Sequence, residues 1–505
     1  MNTTKLIGSF FKSRVQAVER YTTEAEALQT KIFQALLQRA THTQWGQQYS
    51  YKDIRTYEQF RQRVPLQTYE EIKPFVERMR LGEKNVLWPG KTRWFAKSSG
   101  TTNDKSKFLP VTSEGLKTIH YRGGKDCVAI YTHLINPESR FFDGKGLILG
   151  GSHVPNLNTP QSLIGDLSAI LIENIPSLVN LIRVPSKKIA LMDEWESKLQ
   201  AIAESTIHTN VTNLSGVPSW FLVLIKRILQ ITGRDSLEQV WPNLEVFFHG
   251  GVAFTPYREQ YKQVIHSPKM HYVETYNASE GFFGVQNDLS DPSMLLMVDY
   301  GIFYEFMPME DFGTSDPRTV MLPDVEIGKN YALILNTNCG LWRYLIGDTI
   351  RFTSRNPYKF VITGRTKHFI NAFGEELMVD NAEKGLAHAC KATGAQITDY
   401  TAAPVFMDSR AKCRHQWLIE FAKSPDDMAQ FANILDESLK EINSDYEAKR
   451  HRDIALQPLE IIPAREGLFH DWLALKGKLG GQHKIPRLSN NRNYIEEMLE
   501  LNEKG

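Results

Sequence analysis

Apolar residues recur every three or four positions in several parts of the chain, the spacing that places them on one face of a helix. Leu28, Ile32 and Leu36 follow this spacing near the N-terminus. They predict a helix over 22–40, with Thr23 as its N-cap. The same reasoning predicts further helices at 57–63, 113–133, 192–206 and 218–231.

Short continuous apolar runs alternate with these helices. Three of the runs predict buried strands, at 146–150, 244–248 and 271–275. Strands that alternate with helices favour an α/β layered domain. From 294 to 364 the pattern changes to short strands separated by turn residues, and this change indicates an antiparallel sheet or barrel. The strands predicted there include 331–336, 349–353 and 360–363.

Beyond Gly364 and Arg365 the pattern predicts a smaller unit of helices and strands. A chain of 505 residues is too long for one simple core, so two or three domains are expected. We therefore predict an α/β fold with a large N-terminal domain, residues 1–365, of α/β layers plus a β-barrel-like subdomain. A smaller and mobile C-terminal α+β domain, residues 366–505, follows it.

The amino-acid composition indicates which broad class of protein this is. An apolar fraction of 42% with 23% charged residues is ordinary for a soluble globular protein. The formal charge of +1 gives no reason to expect nucleic acid or an anionic membrane surface as a partner. The apolar stretch 221–231 is interrupted by two basic residues, and the run 6–11 is too short for a signal peptide. Four scattered cysteines without metal-ligand spacing favour a cytoplasmic location.

The stretch 97–107 combines serine and threonine hydroxyls, one glycine and three lysines. Such a loop suits a polyphosphate, because hydroxyls and backbone N–H groups donate to phosphate oxygens and ammonium groups neutralise charge. The spacing is not that of a P-loop. Taken alone, the stretch fits a solvated Ser/Thr turn between two strands slightly better.

A second polar stretch, Tyr276 to Gly281, follows a predicted strand. The ring of Tyr276 suits stacking on a base, and the carboxylate of Glu280 suits Mg²⁺ held against a triphosphate. The alternatives are a core aromatic residue and a solvated acidic residue in a turn.

Two further positions carry candidate chemistry. Asp348 follows Gly347 at a predicted strand start, where its carboxylate can accept hydrogen bonds from ribose hydroxyls, or it is an ordinary turn aspartate. Lys484 lies in a glycine- and lysine-rich loop near the C-terminus. A lysine on a mobile loop can stabilise charge that develops between a carboxylate and an α-phosphate. The alternative is a solvated basic residue.

The order and spacing of these stretches resemble the adenylate-forming enzymes, in which a Ser-Gly-Thr-Thr loop, Tyr-x-x-x-Glu, Gly-Asp, Gly-Arg and a late lysine follow one another. The resemblance is closer to one branch, the Gretchen-Hagen-type acyl acid amido synthetases. It covers nearly the whole chain and rests on the segments 64–83, 98–110, 276–280 and 481–487.

The resemblance implies an ATP-dependent ligase that couples a small carboxylic acid to an amino acid, with Mg²⁺ as cofactor and no protein partner. It implies that Glu280 binds Mg²⁺, that Asp348 holds the ribose, and that Lys484 assists formation of the acyl-adenylate. Gly364 and Arg365 would lie at a hinge between the domains. The remaining residues implied to bind the nucleotide are Ser98, Ser99, Gly100, Thr101, Thr102, Tyr276, Asn277, Ala278, Ser279 and Arg365.

The chain also departs from the pattern of these enzymes. Asn103 and Asp104 stand where a glycine is usual in the stretch 97–107, which is the predicted phosphate loop. Lys367, His368 and Asn371 change the hinge stretch. Two other readings stay open, an acyl-CoA ligase and a non-catalytic nucleotide-binding relative. The sequence names neither the acid nor the amine.

Overall fold

The computed structural model describes residues 3–98, 107–251, 254, 257–366, 369–370, 377–406, 413–443, 446–447, 450, 456–476, 485–489 and 491–504. The chain divides into two units. The first comprises Met1–Ile346 and Arg351–Val361, and the second comprises Gly347–Ile350 and Ile362–Gly505. The predicted domain boundary at residue 365 and the roles given to the two domains stay predictions.

The helices follow the apolar periodicity closely. Pro218 starts one helix without losing a hydrogen bond, and Gly233, with φ of +63°, ends it in the left-handed conformation. The helices of the first unit are Thr3–Gly8, Lys12–Glu19, Tyr21–Ala40, Gln44–Gln48, Tyr57–Arg63, Tyr69–Arg80, Ser113–Gly115, Tyr121–Ile130, Leu167–Asn174, Lys187–Ala190, Trp195–Thr206, Pro218–Thr232 and Arg258–Val264. Two π-helical turns, Leu116–His120 and Tyr131–Ile135, make 113–135 one continuous helix. The helices of the second unit are Val379–Thr393, Met428–Ile442, Leu468–Leu475 and Asn493–Glu503.

Nineteen strands lie in the described part of the chain. Fourteen precede residue 366: β1 Trp94–Ser98, β2 Lys107–Val111, β3 Lys145–Ile148, β4 Leu163–Gly165, β5 Arg183–Val184, β6 Val211–Gly216, β7 Val246–Gly250, β8 His271–Ala278, β9 Gly281–Val285, β10 Met294–Leu296, β11 Ile302–Pro308, β12 Asn330–Thr337, β13 Tyr344–Arg355 and β14 Tyr358–Arg365. The others are β15 Phe369–Ile370, β16 Leu377–Met378, β17 Gln396–Phe406, β18 Cys413–Lys423 and β19 Glu460–Ala464.

One large sheet organises the chain up to residue 365. Among the described residues it has eleven strands in the order β11-β12-β13-β14-β10-β9-β8-β7-β6-β3-β5. The strands β5, β3, β6, β7 and β8 run parallel, and β9 and β10 continue the sheet antiparallel. The predicted antiparallel strands of the 294–364 region therefore extend the same sheet as the predicted α/β layers. The predicted α/β fold class is confirmed.

Both faces of the parallel strands are covered. Phe247 and Phe248 are consecutive in β7, so their side chains point to opposite faces. Phe247 belongs to the core formed with the helices Trp195–Thr206 and Pro218–Thr232. Phe248 packs edge-on against Tyr131 of the 113–135 helix, at 5.8 Å between ring centroids. Burial on both sides explains the continuous apolar runs seen in the sequence.

A second sheet, of three strands, has the order β2-β1-β4. Strand β1 pairs antiparallel with β2 from Trp94 opposite Val111 to Ser98 opposite Lys107. It pairs parallel with β4. The predicted phosphate loop therefore connects two paired strands, and its residues 99–106 lie outside the described residues.

The second unit has its own core. Strands β17 and β18 pair antiparallel, and β19 joins β18 in parallel. The helices Val379–Thr393 and Met428–Ile442 pack on this sheet around Trp417, Phe431 and Leu435. This arrangement of helices on a small mixed sheet is the α+β unit predicted from the sequence.

A buried ion pair joins distant segments of the first unit. Arg343 and Glu305 are 4% and 0% exposed, and the guanidinium Nε lies 3.0 Å from the Glu305 carboxylate. The other guanidinium nitrogens donate to the carbonyls of Arg61 and Val64 and to the hydroxyl of Thr319. Because each of these partners is a buried side chain or a backbone carbonyl, the pair is held rigidly.

Replacing Arg343 with methionine should destabilise the first unit strongly. The change leaves the Glu305 carboxylate buried without its cation, which typically costs about 3–5 kcal/mol. Chemical denaturation followed by tryptophan fluorescence measures the effect. The control is Arg318→Met, which removes an exposed cation paired with Glu310 and should change the unfolding midpoint little. Equal midpoints for the two variants would contradict the role of the buried pair.

Candidate functional site

The carboxyl ends of the neighbouring parallel strands β3, β6, β7 and β8 form one edge of the large sheet, called here the glycine-rich edge. Strand β6 ends at Gly216 and β7 at Gly250, while a glycine pair follows β3 closely. Ligands of open parallel sheets bind at this edge, where loops leave the strands. Glycines let backbone or ligand approach closely here. A Cβ on Gly250 would lie 2.3 Å from the carbonyl oxygen of Thr275 in β8.

The stretch Tyr276 to Glu280 lies at this edge. Ala278 pairs with Gly281, so Ser279 and Glu280 form the two-residue connection from β8 to β9. Both are buried, at 8% and 6% exposed. The register shifts between Tyr276 and Asn277, and such a bulge redirects the side chains that follow it.

The side chains of this stretch differ in their surroundings. The ring of Tyr276 lies 4.7 Å from the ring of Phe283 and 6.0 Å from that of Phe360, so part of it packs in the sheet. Asn277 is exposed and Ala278 half-buried. The structure thus brings the predicted residues to one strand end, next to the glycines of β7.

The side chains at this strand end supply only some of the ligands that Mg²⁺ needs. Glu280 supplies carboxylate oxygens, the ligands that Mg²⁺ prefers. No group of three or more His, Cys, Asp or Glu side chains able to hold a metal occurs among the described residues. A magnesium ion at Glu280 would therefore need most of its ligands from phosphate and water, as is usual for Mg²⁺ bound with a nucleotide.

His249 lies beside the glycines, at the end of β7. It is 3% exposed, its ring stacks on Phe254 at 4.3 Å, and its Nδ1 has no hydrogen-bond partner among the residues that the structure describes. Burial lowers the pKa of His249 to about 3, with a further lowering by Arg258. The imidazole is therefore neutral at physiological pH and supplies no positive charge to an anion.

Asp348 and Arg365, predicted from separate motifs, form an ion pair in the second unit. The Arg365 Nε lies 3.0 Å from Asp348 Oδ1. Backbone contacts support the pair, since the N–H of Thr366 donates to the carbonyl of Gly347 at 2.9 Å. Gly347 and Gly364 have φ of +91° and +150°, so both positions need glycine.

The C-terminal lysine loop is described only after residue 484. Pro486 and Arg487 lie along β17, where the Thr401 hydroxyl donates to the Pro486 carbonyl at 2.6 Å. The Arg487 side chain forms an ion pair with Asp399 and stacks 4.7 Å above the ring of Tyr400. The chain that follows Lys484 is thus anchored on the small sheet. Lys484 itself, and the predicted site residues Ser99, Gly100, Thr101 and Thr102, lie outside the described residues.

Comparison with known protein families identifies the family to which this chain belongs. The model of the GH3 family N-terminal domain matches residues 14–270, that of the central domain matches 295–365, and that of the C-terminal domain matches 380–493. The chain belongs to the GH3 family.

Curated relatives of this GH3 chain are amido synthetases and ligases. The chain is 25% identical to the indole-3-acetic acid-amido synthetase GH3.4 of Arabidopsis thaliana, over 93% of this chain and 90% of that protein. It is 22% identical to the 4-substituted benzoates-glutamate ligase GH3.12 of the same plant, over 92% and 93%. The predicted family and the predicted enzyme class, an acyl acid amido synthetase, are confirmed.

Solved structures support the fold. The GH3.15 acyl acid amido synthetase superposes with a TM-score of 0.79 at 20% identity, covering 98% of this chain and 96% of that chain. A 2-hydroxyisobutyryl-CoA ligase in complex with 2-HIB-AMP superposes with a TM-score of 0.59 at 11% identity, covering 95% and 92%. The GH3 chain thus has the fold that these two enzymes share. The roles of its individual site residues stay predictions.

Sequence reasoning missed some residues of the glycine-rich edge in the GH3 chain. Gly250 was visible only as a glycine just after the predicted strand 244–248, without any assigned role, and β6, which ends at Gly216, was not predicted. Lys198, whose buried ammonium contacts the end of β3, was also missed. The sequence feature that could have identified Lys198 is its position on the apolar face of its helix, four residues before Ile202.

Replacing Gly250 with alanine should disturb the edge of the sheet. The new methyl group would meet the Thr275 carbonyl, a backbone atom that cannot move without breaking the β7–β8 pairing. We expect a lower thermal midpoint and at least a tenfold loss of nucleotide-dependent activity. In Gly124→Ala, the control, a Cβ meets nothing within 4 Å in a helix, so the midpoint should hold or rise. A Gly250→Ala protein that matches this control would refute the steric argument.

Proposed function

We propose that this GH3 protein is an ATP-dependent ligase that adenylates a small carboxylic acid and transfers the acyl group to an amino acid. The products are an amide, AMP and pyrophosphate. The observation that carries the proposal is the match, over more than 90% of this chain, to relatives named as acid-amido synthetases and a benzoate-glutamate ligase.

The chemistry follows from the properties of carboxylates. A carboxylate is a poor electrophile, so its oxygen first attacks the α-phosphorus of ATP and pyrophosphate leaves. The amine nitrogen of the amino acid then attacks the acyl carbon, the bond to AMP breaks, and the amine loses a proton. The enzyme contributes mainly by holding two anions together and stabilising the charge that develops.

Support for the residue roles comes from where the structure places them. We assign Tyr276 to Ser279 to the adenine and α-phosphate pocket, because they lie at the carboxyl end of β8. We assign Glu280 to Mg²⁺, which would neutralise phosphate charge. Asp348 is assigned to the ribose, with Arg365 orienting its carboxylate through the 3.0 Å ion pair.

The remaining roles rest on the sequence motifs. We assign the phosphates to Ser98 and to residues 99–102, which follow it directly at the end of β1. We assign to Lys484 the stabilisation of charge between the acid and the α-phosphate. A hinge at Gly364 and Arg365 would let the lysine loop leave before the amine enters.

An acyl-CoA ligase is the second candidate. It shares the first half-reaction, and the fold similarity to a 2-hydroxyisobutyryl-CoA ligase favours it to that extent. The two candidates differ only in the acceptor, an amine or a thiol.

No helix of the described residues is long and apolar enough to cross a membrane. The cytoplasmic location, and the expectation that neither nucleic acid nor another protein is a partner, stay predictions from composition.

The direct test measures pyrophosphate release from Mg-ATP with indole-3-acetate, 4-aminobenzoate and other small acids. Each acid is tested alone, with mixed amino acids and with coenzyme A. We expect acid-dependent release that rises with amino acids, and an amide and AMP among the products. A response to coenzyme A alone would favour the second candidate, and no release with any acid would favour a non-catalytic relative.

In the same assay Lys484→Ala should lower acid-dependent release by about two orders of magnitude, since it removes a cation that stabilises developing charge. The protein should stay folded, as its circular dichroism and thermal midpoint will report. Lys478→Ala, in the same loop, is the matched control and should keep most of the activity. Full activity in Lys484→Ala would remove the lysine from the mechanism.

Replacing Glu280 with glutamine should raise the Mg²⁺ concentration needed for half-maximal release. The amide has the same shape but lacks the charge that attracts the cation, so we expect a shift of about tenfold. The control Glu259→Gln alters an exposed carboxylate paired with Lys262. If the two variants give the same magnesium titration as the unmodified protein, Glu280 does not hold the metal.

A further inference from the structure

Lys198 is a buried cation that the proposed function does not use. It lies in the helix Trp195–Thr206 and is 2% exposed. Its ammonium donates to two consecutive carbonyls, those of Gly150 at 2.8 Å and Gly151 at 2.9 Å. These residues follow β3 at the glycine-rich edge of the large sheet.

Burial of this ammonium is unfavourable in itself. It lowers the pKa of Lys198 to about 8, against the opposing charges of Asp166 and Asp193. An apolar side chain would pack against the neighbouring core at lower cost. Compared with an apolar side chain, a lysine at this position adds the two hydrogen bonds to the carbonyls of Gly150 and Gly151.

The backbone that Lys198 holds is also tied to the three-stranded sheet. The N–H of Gly151 donates to the Ser168 hydroxyl at 2.8 Å, and the N–H of Ser152 donates to Asp166 Oδ2 at 3.0 Å. The N–H of Asp166 donates back to the Ser152 carbonyl at 3.0 Å. A Cβ on Gly151 would lie 1.8 Å from Asp166 Oδ2, so only glycine fits this contact.

Asp166 marks where this network meets the start of the phosphate loop. It directly follows β4, whose last residue Gly165 pairs with Ala96 of β1. Two residues later β1 ends at Ser98, where the phosphate loop begins. The contacts of Lys198 therefore link the edge of the large sheet to the end of β1.

We propose that Lys198 is a positioning residue that holds the backbone of 150–152, and through Asp166 the start of the phosphate loop, in the geometry needed for ATP. The link to ATP rests on the proposed function, whereas the hold on the backbone does not.

Hydrogen exchange followed by mass spectrometry tests the hold on the backbone. In Lys198→Met, the amides of Gly151 and Ser152 should exchange about tenfold faster or more, because two hydrogen bonds that fix their segment are gone. The control Lys226→Met removes an exposed lysine from the next helix and should leave the segment protected. Asp166→Asn, which keeps the side-chain shape, should also speed exchange, and it decides the question should Lys198→Met not fold.

Kinetics test the link to ATP. We expect Lys198→Met to raise the KM for Mg-ATP about tenfold while the KM for the acid changes less, in the pyrophosphate assay with indole-3-acetate or 4-aminobenzoate. Unchanged exchange at 151–152 in a folded Lys198→Met protein, or in Asp166→Asn, would overturn the proposal. Faster exchange with an unchanged KM for Mg-ATP would overturn the link to the phosphate loop. If the unmodified protein releases no pyrophosphate with any acid, the proposed function fails while the exchange result still decides the hold on the backbone.

Discussion

The buried pair between Arg343 and Glu305 holds together segments of the first unit that are remote in sequence. Arg343 has φ of +42°, a conformation that residues other than glycine adopt at a cost. The Asn336 side chain accepts from its backbone N–H at 2.8 Å, and the Glu305 carboxylate accepts from the Tyr57 hydroxyl. A strained residue persists only where its surroundings determine it fully, as these contacts do.

Backbone hydrogen bonds extend this constraint to the segment around residue 67. The N–H of Gln67 donates to the Arg343 carbonyl at 2.9 Å, and the N–H of Leu345 donates to the Gln67 carbonyl at 2.8 Å. The start of β13 is thereby fixed against the segment around residue 67. This explains how the segments around residues 67 and 343, which are remote in sequence, are held together.

Much of the fold was predictable because helices and buried strands leave local patterns. The helix Tyr57–Arg63 and the strand β12 followed from apolar spacing alone. The order of strands in the large sheet was not predictable, since β14 pairs with β10 across more than sixty residues of sequence. No short-range pattern encodes such a pairing. The same pairing problem hid the contact between Asp348 and Arg365, although each residue was singled out by its own motif.

The site residues also divide into those that the sequence reveals and those that it does not. The stretch from Tyr276 to Glu280 was recognisable because polar residues follow an apolar strand. Lys198 was not, because a lysine in a helical pattern is usually solvated, and only its place on the apolar face indicates burial. Its role depends on two carbonyls about fifty residues away, which the sequence does not reveal.

The net charge of the protein limits how the proposed reaction can neutralise its anionic substrates. With a net charge of +1 the protein offers a triphosphate no general attraction, so the positive charge must be local. In the described part of the chain, Arg365 is committed to Asp348, Arg487 to Asp399, and Lys198 to two carbonyls. His249 is neutral at physiological pH. In the proposed reaction, the side-chain cations that act on ATP beside Mg²⁺ would therefore come from the lysines of the 97–107 stretch and from Lys484, and adenylation would depend most on these two loops.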